Sequence, residues 1–263
     1  MRDTIVDGVR IEFDDQGEQS GDKPAFLLLP GWCTNRSVFR ELAKRLAEHQ
    51  RTITIDWAGH GGSAKPAGDF GARELVAQAK AVIVTTGIKS VIPVTISHAG
   101  WVALDLRREL GSQVSKIALL DWIVSEAPPP FLDALRGMQS PDWRAAVDAI
   151  FGMWLHGVEN EAVIRFVREE MAAYEGEMWA RAAREISAAY AQEKSPLAAF
   201  AALDSHVETL HLYAQPEDPG YLGFQRDFAA KNPWFHVQKL DARSHFPMLE
   251  CPDQMAAALL AFS

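Results

Sequence analysis

The sequence is short of cysteine, of basic residues and of long apolar runs. Its 2 cysteines, Cys33 and Cys251, lie far apart and lack the spacing of metal ligands, so neither a disulfide framework nor a zinc site is expected. Lys and Arg number 26 against 35 Asp and Glu, and the net charge of -9 makes nucleic acid and anionic membranes unsuitable partners. No apolar run reaches the roughly 18 residues of a membrane span, and the N-terminal residues lack the apolar core of a secretory signal. These absences predict a cytoplasmic protein.

What the chain does contain is the composition of an ordinary globular protein. Its 263 residues, 48% of them hydrophobic, suffice for one large core that carries an insertion. Strand-like runs of β-branched and apolar residues occupy positions 25–29, 52–56, 90–96, 116–121, 208–213 and 235–240. Residues 4–13 with a turn at 14–17 are typical of an edge hairpin. Because helical patterns alternate with the first four runs, the sequence predicts an α/β fold with a mostly parallel sheet flanked by helices.

Between residues 127 and 195 the chain shows only helical periodicity. This block begins at a proline-rich stretch, 127–130, and ends near Ser195 and Pro196. Helical patterns cover 143–155 and 161–190, and no strand-like run interrupts them. We therefore expect an all-helical cap at 127–195, inserted into a core domain formed by residues 1–126 and 196–263.

Ser97 stands where an apolar β-branched run stops and a helical pattern begins. A serine at such a strand-to-helix turn is a candidate nucleophile elbow, because the turn holds the hydroxyl above the carboxyl end of a sheet. The surrounding sequence departs from Gly-x-Ser-x-Gly, since Thr95 takes the first position and Gly100 lies one place late. A variant turn is therefore expected, and simple ester or amide hydrolysis becomes a less obvious function.

His245 follows the last strand-like run and is the natural general base. Its ordinary pKa near 6.5 suits proton abstraction at neutral pH, and a carboxylate on its other ring nitrogen would fix the tautomer. Two acids compete for that place, Asp121 and Asp218, and the pattern alone gives Asp218 at least equal weight. The order serine, acid, histidine is that of the α/β-hydrolase fold. The remaining histidines lack metal-ligand spacing, so no metal site is expected.

Several short motifs along the whole chain, cap included, carry a more specific resemblance. They are Pro30-Gly-Trp-Cys33, Asp56-Trp-x-Gly-His60, Ser97-His-x-Gly-Trp101, Asp121-Trp122, Glu177-Met-Trp179, Ser195-Pro196 and Ser244-His-Phe-Pro247. In combination they resemble the cofactor-independent 3-hydroxy-4-oxoquinoline and quinaldine 2,4-dioxygenases. These enzymes use the α/β-hydrolase scaffold for oxygen chemistry without metal or flavin.

The resemblance implies a role for each candidate residue. His245 is the base that deprotonates the substrate 3-hydroxyl, and Asp121 rather than Asp218 assists it. Ser97 only hydrogen-bonds the substrate, the backbone N–H groups of Trp32 and His98 form the former oxyanion hole, and Trp154 of the cap lines the pocket. The substrate anion itself reduces dioxygen, so no cofactor is required and carbon monoxide is released.

Thr34, Asn35, Arg36 and Ile96 occupy places where members that act on small ring substrates often carry histidines. We therefore expect a pocket that is less polar than the pocket of those members. The cap adds apolar candidates for its wall, at least half of which we expect in the cap's own core: Phe131, Leu132, Leu135, Met138, Phe151, Trp154, Met171, Met178 and Trp179. They favour a 2-alkyl-3-hydroxy-4(1H)-quinolone, the class of the Pseudomonas quinolone signal, as substrate.

Ring opening of such a quinolone would yield an N-acylanthranilate and silence the signal. The expected partners are thus a small aromatic substrate and dioxygen, bound by a monomer. Two alternatives stay open: a serine hydrolase with the triad Ser97, Asp121 and His245, and a receptor whose pocket binds a ligand without turnover.

Overall fold

The computed structural model describes residues 1–263 and contains one sheet of eight strands. The strands are β1 (Arg2–Val6), β2 (Val9–Gln16), β3 (Ala25–Leu29), β4 (Thr52–Ile55), β5 (Val91–Ile96), β6 (Lys116–Leu120), β7 (Glu208–Tyr213) and β8 (Phe235–Lys239). Their order across the sheet is β1-β2-β4-β3-β5-β6-β7-β8. Only the pairs β1·β2 and β2·β4 are antiparallel. The predicted α/β-hydrolase architecture with a mostly parallel sheet is confirmed.

Helices cover both faces of the sheet and fill the segment between β6 and β7. They are α1 (Arg40–Ala47), α2 (Ala72–Thr86), α3 (Ala99–Leu110), α4 (Pro129–Met138), α5 (Trp143–Trp154), α6 (Glu161–Arg165), α7 (Gly176–Glu193), α8 (Pro196–Ala201), α9 (Pro219–Lys231), α10 (Pro247–Glu250) and α11 (Pro252–Phe262). The central strands β3, β4 and β5 are buried at every residue. Continuous apolar runs rather than alternating ones mark them in the sequence, because both faces of a covered parallel sheet are dry. None of the helices combines the length and the apolar composition that a membrane-spanning segment requires.

The N-terminal hairpin turns earlier than predicted. Its turn lies at Asp7 and Gly8, which both have positive φ (48° and 79°), and β2 then continues to Gln16. Residues Asp14–Gln16, predicted to be the turn, pair with β4 instead. The prediction of a turn at 14–17 was wrong because Asp-Gly is the stronger two-residue hairpin signal.

Five helices, α4 to α8, form the segment between β6 and β7. The predicted helical run 161–190 is broken, because residues Phe166–Met171 form a π-helical turn before α7 starts at Gly176. Polar contacts hold this segment to the core: Glu170 accepts hydrogen bonds from Asn35 (3.0 Å) and Ser37 (2.6 Å). The domain boundaries at 126/127 and 195/196 stay a prediction.

Two buried histidines anchor loops beneath the carboxyl edge of the sheet. His60 Nδ1 lies 2.9 Å from the Ala58 carbonyl, and its Nε2 accepts the backbone N–H of Cys33 at 3.2 Å. His211 Nδ1 lies 2.6 Å from Gln225 Oε1, and its Nε2 accepts the N–H of Trp122 at 3.3 Å. Burial lowers the pKa of both imidazoles to about 4, so both are neutral at physiological pH.

This pair predicts acid sensitivity of the fold. Above pH 6.5 both histidines are neutral in the folded and unfolded states and contribute no pH dependence. Between pH 6.5 and about 4 they protonate only after unfolding, so the free energy of unfolding falls by about 1 kcal/mol per pH unit from each. Urea unfolding at pH 7 and pH 5 measures the loss. His211→Gln should reduce this slope and the exposed-site control His206→Gln should leave it unchanged; equal stability of the wild type at both pH values would contradict the prediction.

Candidate active site

Three non-glycine residues near the carboxyl ends of neighbouring strands adopt left-handed backbone conformations. They are Cys33 after β3 (φ 55°), Ser97 after β5 (φ 54°) and Asp121 after β6 (φ 43°). Such conformations cost about 1–3 kcal/mol each and persist only where the surrounding fold enforces them. Their concentration at one edge of the sheet marks that edge as the functional one.

The turn at Ser97 has the sharp strand-to-helix geometry of a nucleophile elbow, although Thr95 replaces the usual glycine. The N–H of Ser97 donates to the Leu120 carbonyl at 2.9 Å, which ties the elbow to β6. The close approach of helix and core falls instead at Gly100, where an added Cβ would overlap the ring of Trp122. Gly100, which lies one place later than the glycine of the usual motif, therefore allows the helix to pack closely against Trp122. Ser97 still adopts the left-handed conformation of an elbow serine.

His245 and Asp121 form a hydrogen-bonded pair. Nδ1 of His245 lies 2.9 Å from Oδ1 of Asp121, whose side chain is 2% exposed. The second carboxylate oxygen accepts the backbone N–H groups of Ala214 (2.7 Å) and Gln215 (3.0 Å), which fixes the carboxylate. Because a carboxylate only accepts, Nδ1 carries the proton and Nε2 keeps a free lone pair. Such an arrangement can act as a general base.

Asp218, the competing acid, lies elsewhere. It is exposed and caps α9, with Oδ1 accepting the N–H of Gly220 at 2.9 Å. The structure thus brings Asp121 to His245 and assigns Asp218 a local capping contact.

Trp154 covers the imidazole of His245. The two rings are stacked with centroids 4.6 Å apart and an interplanar angle of 14°. Phe246 contacts Trp154 edge-on at 5.5 Å. An indole face against an imidazole restricts its rotation and stabilises the cationic form of the ring.

Two backbone donors beside the elbow are free. The N–H groups of Trp32 and His98 make no hydrogen bond within the protein, whereas the neighbouring N–H groups of Cys33 and Ser97 are both bonded. Unpaired amide donors next to a nucleophile elbow are the elements of an oxyanion hole. They can stabilise negative charge on a substrate oxygen.

Trp32, Ser97, His98, Trp154 and His245 all line one cavity. The rest of its wall is apolar apart from Thr34: Gly31, Ile96, Phe131, Leu135, Met138, Ile150, Met171, Trp179, Ala182, Ile186 and Phe246. Its free volume is about 50 Å³. Five of the six site residues predicted from the sequence therefore face the same small, apolar space, and the sixth, Asp121, contacts it only through His245.

The predicted cap wall matches this cavity in part. Of the cap residues proposed to form it, Leu132, Phe151 and Met178 do not line the cavity, while three unpredicted residues do: Ile150, Ala182 and Ile186. A signal for them existed, since Ile150 lies one helical turn before Trp154, and Ala182 and Ile186 follow Trp179 at i+3 and i+7.

The His, Cys, Asp and Glu side chains of the structure form no metal centre. No group of three or more His, Cys, Asp or Glu side chains is arranged to hold a metal ion. Both cysteines are free, and burial raises the pKa of the Cys33 thiol well above its usual value.

Comparison with known proteins places the chain among proteins of related fold and chemistry. The model of the alpha/beta hydrolase family matches residues 26–258. A 2-heptyl-3-hydroxy-4(1H)-quinolone dioxygenase from Mycobacteroides abscessus is 37% identical over 254 residues, which are 96% of this chain and 94% of that one. A 1H-3-hydroxy-4-oxoquinoline 2,4-dioxygenase from Pseudomonas putida is 34% identical over 100% of this chain and 99% of its own length.

A solved structure shows the same similarity in three dimensions. It is that of an AqdC variant in complex with its substrate, from work on the ring-cleavage of the Pseudomonas quinolone signal. This chain is 36% identical to it with a TM-score of 0.94, and the match covers 100% of this chain and 99% of that one.

Proposed function

Since the chain belongs to the alpha/beta hydrolase family and, within it, to the 3-hydroxy-4-quinolone 2,4-dioxygenases, we propose that it cleaves a 2-alkyl-3-hydroxy-4(1H)-quinolone with dioxygen. It is an enzyme, a ring-cleaving dioxygenase of the oxidoreductase class. The observation that carries the proposed chemistry is the His245–Asp121 pair, which leaves an unprotonated Nε2 in an apolar cavity.

In the proposed reaction, His245 Nε2 takes the proton of the substrate 3-hydroxyl. The resulting electron-rich anion transfers electrons to dioxygen, and a peroxide forms at carbon 2. The peroxide closes on the carbonyl carbon 4, after which the O–O bond and the two bonds to carbon 3 break. Carbon 3 leaves with its oxygen as carbon monoxide, one oxygen atom of dioxygen stays on each new carbonyl carbon, and the proton returns to give the N-acylanthranilate.

Other residues of the cavity support this reaction. Trp154 stabilises the imidazolium formed on His245 by stacking on it. The free N–H groups of Trp32 and His98 provide donors for the 4-oxygen as its charge grows. Ser97 hydrogen-bonds the substrate and is not a nucleophile; consistent with that role, no hydrogen bond joins its hydroxyl to His245.

A preference for a 2-alkyl group follows from the wall of the cavity. Asn35 and Arg36 face other partners, Glu170 and Asp56, and so leave the wall to apolar groups such as Ile96. Met138 and Met171 are unbranched and flexible, which suits a chain of variable length. Degradation of an alkylquinolone signal is the biological role that we propose, in the cytoplasm and by a monomer.

Oxygen uptake and carbon monoxide release by metal-stripped protein test this function. A series of 3-hydroxy-4-quinolones with hydrogen, methyl, pentyl or heptyl at carbon 2 should all be opened. We expect kcat/KM to rise with chain length, by up to about fourfold per methylene, because each buried CH2 contributes about 0.8 kcal/mol. Absence of both gases with every substrate would overturn the proposal. Turnover of aryl esters with a trapped acyl-enzyme at Ser97 would favour the serine hydrolase, which the retained elbow keeps as the second candidate.

A further inference from the structure

The cavity contains a second histidine whose hydrogen bonding is the reverse of that of His245. Nδ1 of His98, next to Ser97 at the elbow, lies 3.2 Å from Nε1 of Trp122. An indole N–H is only a donor, so Nδ1 of His98 must be the unprotonated nitrogen. The proton of the neutral ring is therefore on Nε2.

The two rings thus have opposite tautomers, set by what each Nδ1 contacts. A carboxylate opposite Nδ1 of His245 leaves Nε2 as a base. An indole N–H opposite Nδ1 of His98 leaves Nε2 as a donor. Both residues line the same cavity.

The surroundings of His98 keep its ring neutral and its Nε2–H available. Phe131 stacks on it at 5.5 Å, and Tyr190 contacts it edge-on at 6.0 Å. Burial, with a smaller effect from the nearby His245, lowers the pKa of His98 to about 3. Trp122 is 2% exposed, so the hydrogen bond to Nδ1 holds that nitrogen against the buried core. Nε2 has no hydrogen-bond partner in the protein.

We propose that the side chain of His98 is a catalytic hydrogen-bond donor, which stabilises an oxygen that becomes anionic during ring cleavage, and that Trp122 is the positioning residue that sets its tautomer. This inference rests on the proposed function. A neutral donor does not compete with His245 for the substrate proton, and it does not protonate the peroxide. The two histidines of the cavity then have different roles: His245 takes a proton, and His98 only donates a hydrogen bond.

The tautomer can be measured without substrate. In protein labelled with 15N-histidine, the imidazole resonances of His98 should show protonated Nε2 and unprotonated Nδ1 from pH 6 to pH 8. Trp122→Phe should introduce the Nδ1-protonated form. A wild-type ring protonated on Nδ1, or one that titrates near pH 6.5, would overturn the proposal.

Kinetics test the role of the donor, and they do so even where Trp122→Phe fails to fold. His98→Leu should lower kcat/KM by about 10²-fold, mainly through kcat, and His98→Gln, which restores an N–H donor, should recover part of that loss. The matched control is His206→Leu, because His206 stacks on Trp234 at 5.0 Å on the exposed surface and should be dispensable.

The outcomes separate this role from the proposed function. Turnover by the wild type with an unaffected His98→Leu variant would overturn the role of His98 alone. No turnover of any quinolone by the wild type would overturn the proposed function together with this role, and the tautomer measurement would still report the hydrogen bond to Trp122.

Discussion

Replacement of His245 by alanine is expected to lower kcat/KM for the quinolone by about 10³-fold at pH 7. The variant has no base in reach of the 3-hydroxyl, and Trp154 loses the ring on which it stacks. The residual activity should rise with pH, because the substrate then ionises in solution and reaches the cavity as the anion. Steady-state oxygen uptake between pH 6 and pH 10 measures both effects.

Ser97→Ala is the comparison variant for this experiment. It removes one hydrogen bond to the substrate and keeps the base, so we expect kcat/KM within about tenfold of the wild type. Equal inactivity of the serine and histidine variants, together with a covalent acyl-enzyme in the wild type, would contradict the roles assigned here.

Asp121→Asn is expected to be at least as damaging, with a loss of about 10³–10⁴-fold in kcat/KM. The side chain of Asp121 already accepts the N–H groups of Ala214 and Gln215 on one oxygen. In the variant the amide oxygen takes that place, and the amide NH2 group faces Nδ1 of His245. The ring must then carry its proton on Nε2, where it cannot accept one from the substrate.

Asp218→Asn provides a matched control, because the substitution is the same and the site is exposed. Asn caps a helix about as well as Asp, so both stability and kcat/KM should be unchanged. Wild-type turnover by Asp121→Asn, with oxygen uptake measured at several pH values, would show that the carboxylate does not set the tautomer.

The sheet could be predicted from the sequence because its strands are continuous apolar runs bounded by clear breaks. Strands β3 and β5 are buried at every residue, and such runs are visible without an alignment. The turn of the N-terminal hairpin was predicted at the wrong place because two turn signals, at 7–8 and at 14–17, lie within about ten residues of each other. The pairing of Asp14–Gln16 with β4 is a long-range contact that local patterns do not encode.

The site could be predicted as a set of residue types and a chain order, but not as a geometry. Sequence order left Asp121 and Asp218 open, since each follows a strand; only the fold shows which carboxylate reaches the imidazole. The contact between Trp122 and His98 had no sequence signal either, because it joins an elbow and a core residue on different elements. The cap wall was predicted in part because helical periodicity shows that a face is apolar and does not show what that face contacts.

The small volume of the cavity has a kinetic consequence for substrate capture. Sites for molecules of this size enclose about 300–1,000 Å³, far more than the free volume of about 50 Å³ present here. A substrate of this size can bind only after the wall widens. Part of that wall is the helical segment, which is held to the core where Glu170 binds Asn35 and Ser37, and where Arg181 pairs with Asp69. We therefore expect the association rate constant to be limited by the frequency of that widening rather than by diffusional encounter, and release of the acylanthranilate to depend on the same motion.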